Sequence, residues 1–146
     1  MTPIDTLVSG LSRQLGIAPP KLTPVKKLPG THMMRLSPDG REIEIQRDAI
    51  VSPDLIYGIL HELRHIWQMQ ADPDRYFADY LPRDKCLTLE LYNLQPAEID
   101  AHAYAAMQMQ KLFGLAPQFN GLSEAVKAKI RQRIDDISAQ TIQNNY

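Results

Sequence analysis

Residues 61 to 65 read HELRH, inside the otherwise apolar stretch YGILHELRHIWQ. Two imidazoles, a carboxylate and a guanidinium therefore sit where helical spacing calls for core. On an α-helix, residues four apart share a face, with Cβ atoms about 5–6 Å apart. His61 and His65 can thus present two ring nitrogens to one metal ion. Glu62 is turned about 100° from His61. That direction makes it a poor third ligand and a suitable general base toward water. This is the HExxH arrangement, in which one turn supplies two zinc ligands and a base. The competing reading is a pair of satisfied core histidines. It requires a separate hydrogen-bonding solution for each of three polar groups, since burying them unpartnered costs several kcal/mol. One metal ion answers all three, and the missing side chain at Gly58, one turn earlier, would leave room for water or substrate.

Catalytic zinc usually takes three protein ligands plus water. The extended form HExxHxxGxxH is excluded, because Gln68 and Ala71 stand where glycine and histidine would be needed. The remaining candidates lie downstream: Asp72, Asp74, Asp79 and Asp84 in an irregular stretch, then Glu98, Asp100 and His102 in QPAEIDAHAYAA. Glu98 is favoured because it opens a strong helix able to pack beside the motif helix. Its competing role is a first-turn carboxylate attracted by the helix dipole. His102 falls on the same face, four residues on, and could hydrogen-bond a metal-bound imidazole or the transition state. A partly exposed helix histidine is the equal alternative. Asp100 points elsewhere and could pair with Arg64.

Several elements must position these groups. Ile4, Leu7, Val8, Leu11 and Leu15 mark an amphipathic helix over residues 3 to 15. LTPVKKL is a loop or an edge strand, because proline cannot donate to a ladder. THMMRLSPDGREIEIQ reads as a hairpin, with SPDG supplying turn chemistry. The motif helix has Ser52 as N-cap, Pro53 at its first position and Asp54 in its first turn. ADPDRYFADYLPRD is a loop with a turn or two of helix, and CLTLELYN a short helix or extended piece. A second strong helix runs from near Pro96 to Gly114. A last one runs from about Ser123 to Ile142 through Val126, Ile130, Ile134 and Ile137. The layout predicts one α+β domain: an N-terminal helix and first strands over 1–40, a metal-site core over 41–114, and a C-terminal helix and tail over 115–146.

The chain has 146 residues, 44% hydrophobic, with a formal net charge of -1. That is an ordinary globular balance, without the basic excess that would make nucleic acid an obligate partner. Cys86 is the one cysteine, so no intrachain disulfide can form. No apolar run approaches the ~18 residues of a membrane span, and the N-terminus lacks the pattern of a secretory signal. A cytoplasmic setting without membrane attachment is the expectation. Oligomeric state is not legible.

HELRHIWQ followed by QPAEIDAHAYAA resembles the minimal gluzincin metallopeptidases of the ImmA/IrrE type, found in bacterial and phage genomes. The resemblance covers roughly residues 41 to 107. It implies a zincin-like fold, a small three-stranded sheet packed on the HExxH helix and further helices, with zinc held by His61, His65 and Glu98 and with Glu62 as base. It also implies that the strand EIEIQ, as an edge strand before the motif helix, aligns an extended substrate by main-chain hydrogen bonds. In such enzymes a tyrosine or histidine steadies the oxyanion. Tyr57, Tyr76, Tyr80, Tyr92, Tyr104 and His102 are candidates, and the sequence does not choose among them. The continuation after the motif, Arg64 and then Ile66-Trp67-Gln68, departs from the usual pattern, so the substrate does not carry over. His102 stands where gluzincins often have aspartate.

The function expected from these readings is a zinc-dependent endopeptidase, with Glu62 and His102 as the catalytic residues. Its partner would be a protein or peptide substrate, such as a regulator. The alternative is a zinc-binding regulatory or interaction module of the same fold that is catalytically silent or latent. The C-terminal TIQNNY could then lie across the cleft, and Cys86 could cap the zinc, although a lone buried thiol is the commoner role for such a cysteine.

Overall fold

The computed structural model describes residues 2–30 and 32–144, with side chains through residue 140. The chain is α+β and forms two compact units, Met1–Asp74 and Arg75–Tyr146. Among the described residues no helix is long and apolar enough to cross a membrane.

The first unit begins with α1 (Pro3–Leu15), closed at its start by a reciprocal capping box between Thr2 and Asp5. Gly16 ends it in the left-handed conformation, φ 71°. A three-stranded sheet follows: β1 (Lys21–Val25), β2 (Met34–Leu36) and β3 (Glu42–Gln46), in the order β1-β3-β2. The hairpin expected from SPDG is present. β2 pairs antiparallel with β3, Met34 opposite Ile45 and Leu36 opposite Ile43. Its turn closes with the Gly40 N–H donating to the Ser37 carbonyl at 2.9 Å. The Ser37 hydroxyl and the Arg41 N–H hold the Asp39 carboxyl below the usual carboxylate range. Arg35 and Glu44, directly opposite one another, form a cross-strand ion pair at 2.7 Å.

One expectation is corrected here. EIEIQ is not an edge strand: β3 is the central strand, with β1 parallel on one side and β2 antiparallel on the other. Hydrogen-bonded on both sides, it places Ile43 in the core at 0% exposed. β1 is an edge, as Pro24 requires. β2 is the other edge. Met33 O accepts from Gln46 N and Ser37 N donates to Glu42 O, so the intervening Met34 and Leu36 turn their backbone groups to the outer side.

α2 (Pro53–Ala71) carries HELRH. Ser52 caps it, its hydroxyl accepting from the Leu55 N–H at 3.2 Å. Leu55, Ile59, Leu60, Leu63 and Ile66 are all buried, and the helix packs against β2 and α1. At Gly58 an added Cβ would lie 2.6 Å from the Met34 sulfur. The gap read from the sequence as room for water or substrate is therefore the seat of a β2 side chain.

In the second unit, α3 (Pro73–Asp79), which begins at the end of the first unit, leads to a 3-10 turn at Arg83–Lys85 and to α4 (Leu89–Asn93). α5 (Pro96–Phe113) stops at Gly114, φ 66°, whose N–H returns to the Gln110 carbonyl. α6 (Glu124–Asn144) starts where the Ser123 hydroxyl accepts from the Val126 N–H. α5 and α6 share a core of Ile99, Ala103, Val126 and Ile130, flanked by Leu94, Phe119, Leu122, Ile134 and Ile137. The alanines of α5 let α6 approach closely, and the apolar spacing of α6 lands on that face as its sequence demands. Asn145 and Tyr146, the end of TIQNNY, lie outside the described residues.

Candidate metal centre

The first unit brings the two motif histidines together. His61 Nε2 and His65 Nε2 are 3.1 Å apart, with ring centroids at 4.8 Å and planes at 74°. His65 is buried, 3% exposed, whereas His61 and Glu62 are half-buried. The other ring nitrogen of His65, Nδ1, is 2.8 Å from the amide oxygen of Gln68. With Nδ1–H donating to that oxygen, the Nε2 lone pair of His65 is the one turned toward His61. This is the tautomer a metal ligand needs, with its orientation set from one helical turn away. Tyr57, four residues before His61, has its ring 6.5 Å from that imidazole. The Arg64 guanidinium lies 3.8 Å from the centroid of the Trp67 ring. That contact helps explain how a cation is accommodated on an apolar helix.

The second unit holds Glu98 and His102 on one face of α5, as their spacing predicts. Glu98 Oε2 is 4.0 Å from His102 Nε2. Glu98 is 2% exposed. Its other oxygen, Oε1, accepts the hydroxyl of Tyr92 at 2.8 Å and that of Tyr80 at 2.5 Å. Burial and the adjacent carboxylate push the Tyr80 phenol far above its usual range, so at neutral pH it keeps the proton it donates to Glu98. Two of the oxyanion candidates, Tyr80 and Tyr92, are thus engaged with Glu98. Sequence reading did not find this arrangement. The tyrosines lie 18 and 6 residues upstream of Glu98, and no helical period connects them to it.

Asp100 faces away from this cluster. Its Oδ1 receives Nε and a terminal nitrogen of Arg133 from α6, at 2.9 and 2.8 Å. Cys86 is half-exposed, with the Gln95 amide 3.8 Å from its sulfur. Asp72, Asp74, Asp79 and Asp84 are all exposed, which suits solvated carboxylates better than ligands.

His61, Glu98 and His102 each offer a donor atom of the kind that binds a divalent metal. The chemistry of the donors fits a divalent metal: imidazole nitrogens and a carboxylate already oriented by two phenols. No family model matches the chain, and no curated protein or solved structure is significantly similar to it.

Proposed function

We propose that the protein is a zinc-dependent endopeptidase of zincin-like fold, in which His61 and His65 from α2 and Glu98 from α5 hold the metal. The observation that carries this reading is the 3.1 Å approach of the two histidine Nε2 atoms with His65 Nδ1 committed to Gln68. With His65 Nδ1–H on Gln68, the His65 Nε2 lone pair accepts a hydrogen bond from His61 Nε2, and a metal cation taking the place of that shared proton would be ligated by both nitrogens. Glu98 adds a second argument. A carboxylate that is 2% exposed bears a large desolvation cost. The phenols offset part of it but carry no charge, and a metal cation supplies the opposite charge. His102, beside Glu98 Oε2, either joins the ligands or acts on the transition state.

Zinc held by these residues would supply Lewis acidity, acidifying water and polarising a peptide carbonyl. Glu62 takes a proton from the attacking water as its oxygen joins the carbonyl carbon. Glu62 then delivers that proton to the amine nitrogen as the C–N bond breaks. Main-chain alignment of the substrate passes from β3, which is central, to the outer edge of β2. There Met34 and Leu36 present alternate backbone groups beside the motif helix. A protein or peptide in extended conformation is the substrate class this edge accepts.

Metal content of the whole chain, purified without chelators, is the primary test. Wild type should carry about one zinc per chain, and His61→Ala should lose it. Glu62→Gln should retain zinc and lose cleavage of a peptide library by several orders of magnitude. Wild type that binds zinc but cleaves nothing would favour a silent zinc-binding module. Unchanged zinc in His61→Ala would remove the site assignment altogether.

A further inference from the structure

The carboxylate of Glu98 is held by more than its place on α5. Tyr80 and Tyr92 both donate to Oε1, and their own hydroxyl oxygens are 2.8 Å apart. A carboxylate has about four lone-pair sites over its two oxygens, so two phenols fill the share of Oε1. Oε2 is the oxygen turned toward His102.

The phenols are themselves built in. Tyr80 lies just past α3 and stacks on Tyr76, centroids 5.0 Å apart with planes 19° from parallel. The next residue, Leu81, is stapled to the N-cap of α5. Its N–H donates to Gln95 Oε1 at 2.8 Å, and its carbonyl accepts from Gln95 Nε2 at 2.9 Å. Tyr92 belongs to α4, whose carbonyl groups hold the turn into α5 through Leu94 N to Glu90 O and Gln95 N to Tyr92 O. The segment between residues 79 and 95 thus brings two hydroxyls to one carboxylate oxygen.

We infer that Tyr80 and Tyr92 are positioning residues that restrict Glu98 to binding a divalent metal through Oε2 alone. The inference rests on the reading of Glu98 as a ligand. An unclamped carboxylate can rotate or chelate with both oxygens, which raises the coordination number and fills the position a catalytic site keeps open. The phenol pair prevents this sterically and by occupying Oε1. Being neutral, the phenols also leave the carboxylate charge available to the cation.

The test uses the whole chain with cobalt(II) as a spectroscopic probe and zinc affinity measured by competition with a chromophoric chelator. Wild type, Tyr80→Phe, Tyr92→Phe, the double variant and Glu98→Ala are compared, with metal-free thermal melts as a check on folding. Wild type should give the intense visible bands of four-coordinate cobalt. The double variant should give the weaker bands of higher coordination, as Glu98 chelates with both oxygens. Zinc affinity should fall about 10-fold for each hydroxyl removed. If wild type binds and Glu98→Ala does not, yet the double variant keeps both the spectrum and the affinity of wild type, the clamp is wrong and the metal centre stands. If wild type binds neither ion, or Glu98→Ala binds like wild type, the metal reading and the clamp fall together. The single variants each retain one phenol, so a double variant that does not fold still leaves the affinity comparison to decide.

Discussion

The two helices that carry the candidate donors hold those side chains in different ways. On α2 the support is local: His65 is tied by Gln68, three residues away on the same helix, and faces His61 across one turn. On α5 the support for Glu98 comes from outside the helix, from Tyr80 after α3 and Tyr92 in α4. A helix fixes i, i+3 and i, i+4 neighbours by its own geometry, so the histidine pair is preorganised as soon as α2 forms. The carboxylate is preorganised only once the second unit has folded. The difference suits the chemistry. An imidazole has one lone pair to aim, and one hydrogen bond aims it. A carboxylate has two equivalent oxygens, and choosing between them takes donors on one side.

Replacing the charge on α5 should break this comparison most severely. Glu98→Gln keeps an oxygen that accepts from both phenols, so the metal-free protein should melt at or above the wild-type temperature while losing zinc. Glu98→Ala removes the acceptor from two hydroxyls and should destabilise the metal-free protein by ~2 kcal/mol or more. Calorimetry with metal analysis separates these outcomes. Glu98→Gln that melts as low as Glu98→Ala would mean that the phenols matter little.

The local support on α2 is tested next. Gln68→Leu removes the acceptor from His65 Nδ1 and should weaken zinc binding about 10- to 100-fold. The fold itself should lose only ~1 kcal/mol. Unchanged affinity would show that helix geometry alone orients His65, and the contrast with Glu98 would sharpen rather than disappear.

The smallest expected effect lies on α1. Ser12 is 0% exposed, and its hydroxyl oxygen has no hydrogen-bond partner among the described residues. The same unit that satisfies His65 so locally leaves this group unmatched. Ser12→Ala should raise stability by ~1 kcal/mol, since an unpaired buried hydroxyl is replaced by a good helix former. A lower melting temperature in that variant would reveal a hydrogen bond made in solution.

Much of the architecture was legible in the residues. The spacing of Val8 and Leu11, the cap at Ser52, the turn at SPDG and the stop at Gly114 each act over a few residues, and each appears where read. The errors had a common cause. The edge position of EIEIQ is implied only by the resemblance, and the alternation in the residues reports one buried face without saying how many neighbours a strand has. Gly58 was read as open space because a sequence does not show that Met34 fills it.

For the site, the sequence by itself determined that His61 and His65 meet across one turn and that Glu98 and His102 share a face. Both follow from the 3.6-residue period of a single helix. Only the tertiary structure decided that Tyr80 and Tyr92 are engaged with Glu98, that Asp100 is held by Arg133, and that β2 rather than β3 is the edge beside the motif helix. Those pairings join residues from different elements. They depend on loop closure and packing, for which no local period exists.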